Sequence, residues 1–189
     1  MVMRRRFSEA EVSDVAAELG WGRFAVHPAD PEEGTTYQVV WRVGTKLSLN
    51  YFEDEIARNS YVVVTGEDET AVRGTAELVE ARLNTWSVDS LLAEVDEAEE
   101  PIELARAVIR AGLGAPDNFD ERFFVRVNSA LGHADPRVRE AALWSVTYSA
   151  WADFRPRLEG VCRNDDVPDL RETAAIVLEG FDEAGIEDR

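Results

Sequence analysis

The chain has 189 residues, of which 45% are hydrophobic, so its composition predicts a folded protein of one or two domains rather than a disordered one. It carries 38 acidic and 20 basic residues, which give a formal net charge of −18. A field of this sign repels nucleic-acid phosphates and anionic membranes and attracts basic partners. Composition therefore argues against nucleic-acid binding, although acidity also fits a protein that simply stays soluble.

The sequence carries no sign of export or membrane insertion. Cys162 is the only cysteine, so an intrachain disulfide is excluded and a reducing compartment is favoured. Three arginines at 4–6 are followed by acidic residues rather than by the apolar run of a signal peptide. No segment approaches the roughly 20 apolar residues that span a bilayer. We expect a cytoplasmic protein without a membrane segment.

The first predicted element is a helix over residues 8–19. Ser8 is a suitable N-cap, and Glu11 three residues later completes a capping box. Phe7 and Val12 have the spacing of a hydrophobic staple.

Strand patterns follow this helix, at residues 21–26, 36–43, 47–51 and 61–64. Gly44-Thr45 predicts a type II′ hairpin turn. Residues 61–64 are apolar at every position. We therefore expect this strand to lie centrally in the sheet or to be covered on both faces. Acidic residues at 67–69 precede a second amphipathic helix. Residues 1–85 are therefore predicted to form an α+β domain of helix, four antiparallel-type strands and helix, with the helices on one sheet face.

Only helical patterns continue from Trp86 to the end of the chain. Six helices are predicted in three pairs, at roughly 87–111, 118–150 and 154–181. Predicted N-caps are Ser87, Asp117 or Asn118, and Asp153. This region, 86–189, forms the second predicted domain.

Two segments of this region share the pattern Pro-x-(Val/Leu)-Arg-Glu-x-Ala, 32 residues apart. The positions that carry the pattern are Asp135, Pro136, Val138 and Arg139 in one copy and Pro168, Leu170 and Arg171 in the other. They resemble HEAT-like repeats, in which Asp-Pro leads into Val-Arg and small residues. The resemblance covers about 118–181 and implies an all-α solenoid of antiparallel helix pairs, whose second helices line the ligand-facing surface. The pair at 87–111 lacks Val-Arg and is expected to act as a cap.

Three aromatic residues stand out on the helix that begins at Pro136. Trp144, Tyr148 and Trp151 are four and three residues apart, which predicts a single helix face. One interpretation is core packing between helices. The other is a recognition patch, rimmed by acidic residues such as Glu140, since Trp and Tyr are frequent binding hot spots.

The arginines of the repeat have a predicted structural role. Arg139 and Arg171 occupy matching positions, and we expect each to bridge to acids of an adjacent repeat. Arg137 and Arg155 are expected to be solvated.

Motifs for catalysis or metal binding are not found in the sequence. His27 and His133 lie in different halves, and Cys162 adds no zinc-ligand spacing. The acidic run 53–55 lacks calcium-loop spacing. Glycine-rich phosphate loops and nucleophile–base motifs are also missing. We therefore expect a non-enzymatic protein without cofactor or metal.

The leading hypothesis is an interaction or adaptor module that presents an acidic, aromatic-containing helical surface to another, basic protein. The alternative is an acidic immunity or inhibitor protein that neutralises a basic toxin or nuclease, because residues 86–189 alone carry a net charge of −12. A third hypothesis is a lyase-like role, since some bacterial HEAT-like proteins act on bilin chromophores. Members that repair DNA use basic inner surfaces, so the charge of this chain argues against that role. The sequence leaves the oligomeric state open.

Overall fold

The computed structural model describes residues 1–30, 32 and 34–186, and it divides the chain into two compact units, Met1–Trp86 and Ser87–Arg189. The first unit contains a helix, a four-stranded antiparallel sheet and a second helix, which confirms the predicted α+β arrangement. Its elements are α1 (Glu9–Glu18), β1 (Gly22–His27), β2 (Tyr37–Gly44), β3 (Leu47–Asp54), β4 (Asn59–Gly66) and α2 (Glu69–Glu80).

The sheet has the strand order β1-β2-β3-β4, and every neighbouring pair is antiparallel. Alternate side chains of the strands point to one face and are fully buried, among them Trp41, Leu49 and Val62. Val12 of α1 and Val79 of α2 belong to the same cluster. Both helices therefore cover the same face of the sheet, and we call the opposite side the open face.

The strand β4 is buried on one face only. Val62 and Val64 are buried, whereas Val63 points to the open face. β4 nevertheless lies between two neighbours, because residues 1–3 run along its second edge. The backbone NH of Met3 donates to Ser60 O at 2.9 Å. In the four-stranded sheet β4 is nevertheless an edge strand, so both predicted alternatives, a central position and coverage on both faces, are wrong.

Three local predictions in the first unit are wrong. Ser8 does not cap α1, because its Oγ donates to Arg5 O at 3.0 Å. Glu11 instead accepts the backbone NH of Asn84 at 2.7 Å, which ties α1 to the segment after α2. Phe7 is exposed and staples nothing. The hairpin turn is not type II′, because the positive φ of 60° falls on Lys46.

The second unit consists of helices within the described residues. They are α3 (Val88–Glu97), α4 (Pro101–Leu113), α5 (Glu121–Ala130), α6 (Pro136–Ser149), α7 (Arg155–Asn164) and α8 (Pro168–Glu183), with a 3₁₀ turn at Ala152–Phe154. Ser87 caps α3 as predicted, with its Oγ accepting from Ser90 N at 3.2 Å. α5 is capped by Asp120, not by Asp117 or Asn118.

The even-numbered helices α4, α6 and α8 pack side by side, and α3, α5 and α7 each contact the helix that follows them. α4 and α6 approach closely at Gly112 and Ser145. The Ser145 hydroxyl donates to Val108 O at 3.0 Å. No helix in the described part of the chain is both long and apolar enough to cross a bilayer.

Candidate functional site

One side of α6 is accessible while its other side is buried. Val138, Ala142 and Val146 are fully buried against the neighbouring helices. Glu140 is exposed on the opposite side, and Trp144 and Tyr148 are half-buried there. Residues four apart lie on one side of a helix. Glu140, Trp144 and Tyr148 therefore form a continuous row, which we call the α6 stripe.

Trp151 does not belong to this row, so the predicted three-residue face is wrong. α6 ends at Ser149, and Ala150 adopts a left-handed conformation with φ 47°. The chain leaves the helix there, and the Trp151 side chain is only 6% exposed. Its Nε1 donates to Asp117 O at 3.2 Å, and its ring lies 5.3 Å from that of Phe119. Trp151 is a core residue, whereas Trp144 and Tyr148 are half-buried, with the hydroxyl oxygen of Tyr148 itself buried.

Arg139 joins the second helical pair to the third. Its Nε donates to Asp165 at 2.8 Å and its Nη2 donates to the second oxygen of the same carboxylate at 2.9 Å. Nη2 also contacts Asp166 at 2.5 Å. The side chains of Arg139 and Asp165 are 10% and 4% exposed. Such a forked pair fixes both position and orientation.

The Asp165 carboxylate is ionised despite its burial. Burial raises its pKa, but hydrogen bonds from Arg139 and from the backbone NH of Val167 favour the charged form and outweigh burial. The pKa of Asp165 is therefore held below its ordinary value. The hydrogen bond to Asp165 is also the main reason why the pKa of Arg139 is raised.

Arg171 does not bridge to an acid within the described residues. Its Nη1 donates to the backbone oxygen of Asp165 at 2.6 Å. The Nη1 of Arg139 makes the equivalent bond to His133 O at 2.9 Å, also six residues upstream. The physical reason for the difference is position: α8 is the last described helix, so no following pair offers Arg171 a carboxylate.

The 32-residue spacing extends to a second pair of hydrogen bonds that sequence reasoning missed. His133 Nδ1 accepts the backbone NH of Asp135 at 3.0 Å. Asp165, 32 residues later, accepts the backbone NH of Val167 at 2.9 Å. A histidine and an aspartate thus perform the same task. Because their side chains differ, sequence similarity between the two copies could not reveal the match.

A cavity of about 320 Å³ opens at the C-terminal end of α6. Its lining residues include Phe119, Trp151, Asp117 and Asp153. Two carboxylates beside a helix C-terminus give the cavity a negative potential. Sequence analysis assigned Asp117 and Asp153 to helix caps, but neither caps a helix.

Salt bridges leave an excess of exposed acids on the second unit. Of its arginines, those in salt bridges within the described residues are Arg110, Arg122, Arg126, Arg137, Arg139, Arg155 and Arg163. Arg155 was expected to be solvated but is mostly buried and pairs with Asp182 at 2.7 Å. Glu140 on α6 and Glu172 and Glu179 on α8 are exposed and make no salt bridge in the described part of the chain. The accessible charge is therefore negative.

The described residues contain no cluster of three His, Cys, Asp or Glu side chains that could hold a metal ion. His27 and His133 lie in different units. Comparisons with protein-family models, with curated proteins and with solved structures found no match. A function can therefore be inferred only from the sequence and structure of this chain.

Proposed function

We propose that the protein is a non-enzymatic interaction module whose helices α5 to α8 are HEAT-like repeats and whose α6 stripe binds a basic protein. The observation that carries this proposal is the position of Trp144 and Tyr148. Both are large aromatic side chains that are half-buried rather than enclosed, beside an exposed carboxylate and on a helix whose opposite side is buried. Aromatic side chains at the centre of an interface and charges at its rim are typical of protein-binding surfaces.

The HEAT-like assignment is supported by the arrangement of the helices. The second helices α4, α6 and α8 pack side by side, and proline occupies the first turn of each, as it also does in α7. In the family that the sequence resembles, the second helices of the pairs line the ligand-facing surface. The hydrogen bonds of His133 and Asp165, 32 residues apart, add a structural match between two copies.

The basic character of the partner is supported by charge. Residues 86–189 carry a net charge of −12, and acids on α6 and α8 remain exposed without salt bridges in the described residues. Complementary charge accelerates association and sets its salt dependence. The aromatic rings of the α6 stripe supply the apolar contact that charge alone lacks.

A second candidate function, an acidic inhibitor of a basic toxin or nuclease, is favoured by the same charge. The two functions differ in the number of partners. An inhibitor binds one basic protein tightly, and its gene lies beside that of the toxin. An adaptor binds several proteins and needs no such neighbour.

Affinity capture from an extract of the source organism tests the proposal. The immobilised wild-type chain is compared with Trp144→Ala/Tyr148→Ala, and bound proteins are quantified by mass spectrometry at about 50 mM salt. Val125→Ala is the control, because Val125 is exposed on α5. Thermal unfolding of all three proteins verifies that they are folded.

We expect the wild type and the control to retain basic proteins that the double variant loses by at least about tenfold, which corresponds to 1.4 kcal/mol. Equal retention by all three folded proteins would overturn the α6 stripe as the binding surface. If the wild type retains acidic or neutral proteins, and these stay bound at high salt, the proposed electrostatic attraction to a basic partner is overturned.

A further inference from the structure

The open face of the sheet, on the side of the first unit away from α1 and α2, carries apolar and uncharged polar side chains, most of them half-buried. The strand register places Ala25, Val40, Asn50 and Val63 in one cross-strand row. The next row contains Phe52 and Tyr61, whose rings stack with centroids 4.9 Å apart. Val63 is 37% exposed and Phe24, at the edge strand, is 61% exposed.

The polar groups of the open face already hydrogen-bond one another. Asn50 is buried and lies at the centre of the face, where its Oδ1 accepts from Gln38 at 3.2 Å. Its Nδ2 donates to Thr65 Oγ1 at 3.0 Å and to Val63 O at 3.2 Å. Covering groups that are already paired leaves few donors or acceptors unsatisfied. The open face can therefore be buried at low cost in lost hydrogen bonds to water.

Charge on the open face is sparse and separated. Arg42 lies at one end and stacks over Phe24, with its guanidinium carbon 4.2 Å from the ring centroid. Asp54 lies at the other end. It is six residues along β3 from Ser48, which pairs with Arg42 on β2. This corresponds to about 20 Å along the strand. His27 also lies on this face, and Asp30 borders it beside Phe52 and Tyr61, so the face carries few charges for a chain of net charge −18.

We propose that the open face is the contact surface of a homodimer, in which two sheets pack face to face around a twofold axis. An axis that reverses the strand direction brings Arg42 of each copy towards Asp54 of the other. A basic partner finds few carboxylates on this face, so it has little reason to bind there. Two copies of an acidic chain, in contrast, repel each other least where both lack acids.

The size of the open face sets the expected strength of the dimer. Four strands of about eight residues, spaced about 4.8 Å apart, cover roughly 500 Å². Two copies therefore bury on the order of 1,000 Å², which is at the lower end for a specific interface. We infer a weak, reversible dimer.

Sedimentation velocity of the full chain from about 2 to about 200 µM tests the proposal. The wild type should shift from 21.1 kDa towards twice this mass as concentration rises. Val63→Asp places a carboxylate in the middle of the face and should weaken the dimer at least about tenfold. Leu78→Asp is the matched control, because Leu78 is similarly exposed on α2, which packs on the other face. A wild type that stays at 21.1 kDa throughout overturns the proposal.

A second pair of variants keeps the test decisive if Val63→Asp does not fold. Arg42→Glu should weaken the dimer several-fold, whereas Arg73→Glu, which makes the same charge change on α2, should not. An equal effect of both changes would show that net charge, not the open face, controls association. Salt should strengthen the dimer, because it screens the repulsion between two acidic chains. A dimer that weakens in salt contradicts the apolar contact and places the interface on charged surface.

Discussion

Arg139 and Asp165 form a forked, buried salt bridge that crosses from the N-terminal end of α6 to the loop before α8. The same Asp165 accepts the backbone NH of Val167, so one carboxylate both receives the arginine and orders the start of the next helix. The relative position of α6 and α8 therefore depends on the polar contacts of Arg139 with this loop as well as on apolar packing. The proposed binding surface lies on α6, so this contact also holds that surface in place.

Removing one member of this pair should destabilise the chain strongly. Arg139→Ala leaves a buried carboxylate without its partner, and we expect a loss of about 3–5 kcal/mol of unfolding free energy. Arg137→Ala removes an exposed pair with Asp135 and should cost less than about 1 kcal/mol. Urea unfolding followed by fluorescence measures both. Similar losses in the two variants would show that Arg139 acts as an ordinary surface charge.

The Arg139–Asp165 pair should also make stability depend on acid pH. The folded-state pKa of Asp165 lies below its ordinary value of 3.8, so its contribution is fully present above pH of about 4 and is lost as pH falls through the lowered pKa. The difference in urea midpoint between wild type and Asp165→Asn should be large near pH 6 and shrink towards pH of about 2. Asp153→Asn controls for net charge. If the difference in urea midpoint increases as the pH falls, the pKa of Asp165 is not lowered in the folded state.

The close approach of α4 and α6 should tolerate no side chain at Gly112. A Cβ there would lie 2.5 Å from the backbone oxygen of Ser145 and 2.8 Å from its Cα. We expect Gly112→Ala to cost about 1–3 kcal/mol, since the helices must move apart. Gly180→Ala in α8 meets nothing within 4 Å and should stabilise by about 0.5–1 kcal/mol. Thermal unfolding distinguishes the two signs, and a neutral Gly112→Ala would refute the tight contact.

The two tryptophans near the end of α6 should differ in their effect on stability. Trp151 is enclosed by Phe119 and Phe154, so Trp151→Ala should cost about 3–5 kcal/mol. Trp144 is half-accessible, and Trp144→Ala should cost less than about 2 kcal/mol. Denaturant unfolding of the two variants checks the order. The reverse order would place Trp144 in the core and remove it from the binding surface.

Local signals in the sequence were sufficient for several elements. Asp135 and Pro136 predict the start of α6, and Asp135 accepts the backbone NH of Arg137 at 2.9 Å as a cap does. The alternation around Trp41 predicts which face of β2 is buried. In each case, the residues that determine the structure are neighbours in the chain.

Other features depend on residues that are distant in the chain. Glu11 was assigned to a capping box, but the backbone of Asn84 takes its carboxylate. The pairing of Met3 with Ser60 has no local pattern. The end of α6 was missed because Ala150, which is uncommon in a left-handed conformation, provides no stop signal. The sequence therefore groups three aromatic residues near the end of α6, and only the structure separates Trp151 from Trp144 and Tyr148.

The most direct test of the proposed binding surface is the affinity for a captured basic protein, measured by isothermal titration calorimetry. The wild type, Trp144→Ala and Trp151→Phe are compared at about 50 and 300 mM salt. We predict that Trp144→Ala raises Kd at least about tenfold, that Trp151→Phe leaves Kd within about twofold, and that salt weakens wild-type binding. An unchanged Kd for folded Trp144→Ala would contradict the α6 stripe as the site where the partner binds.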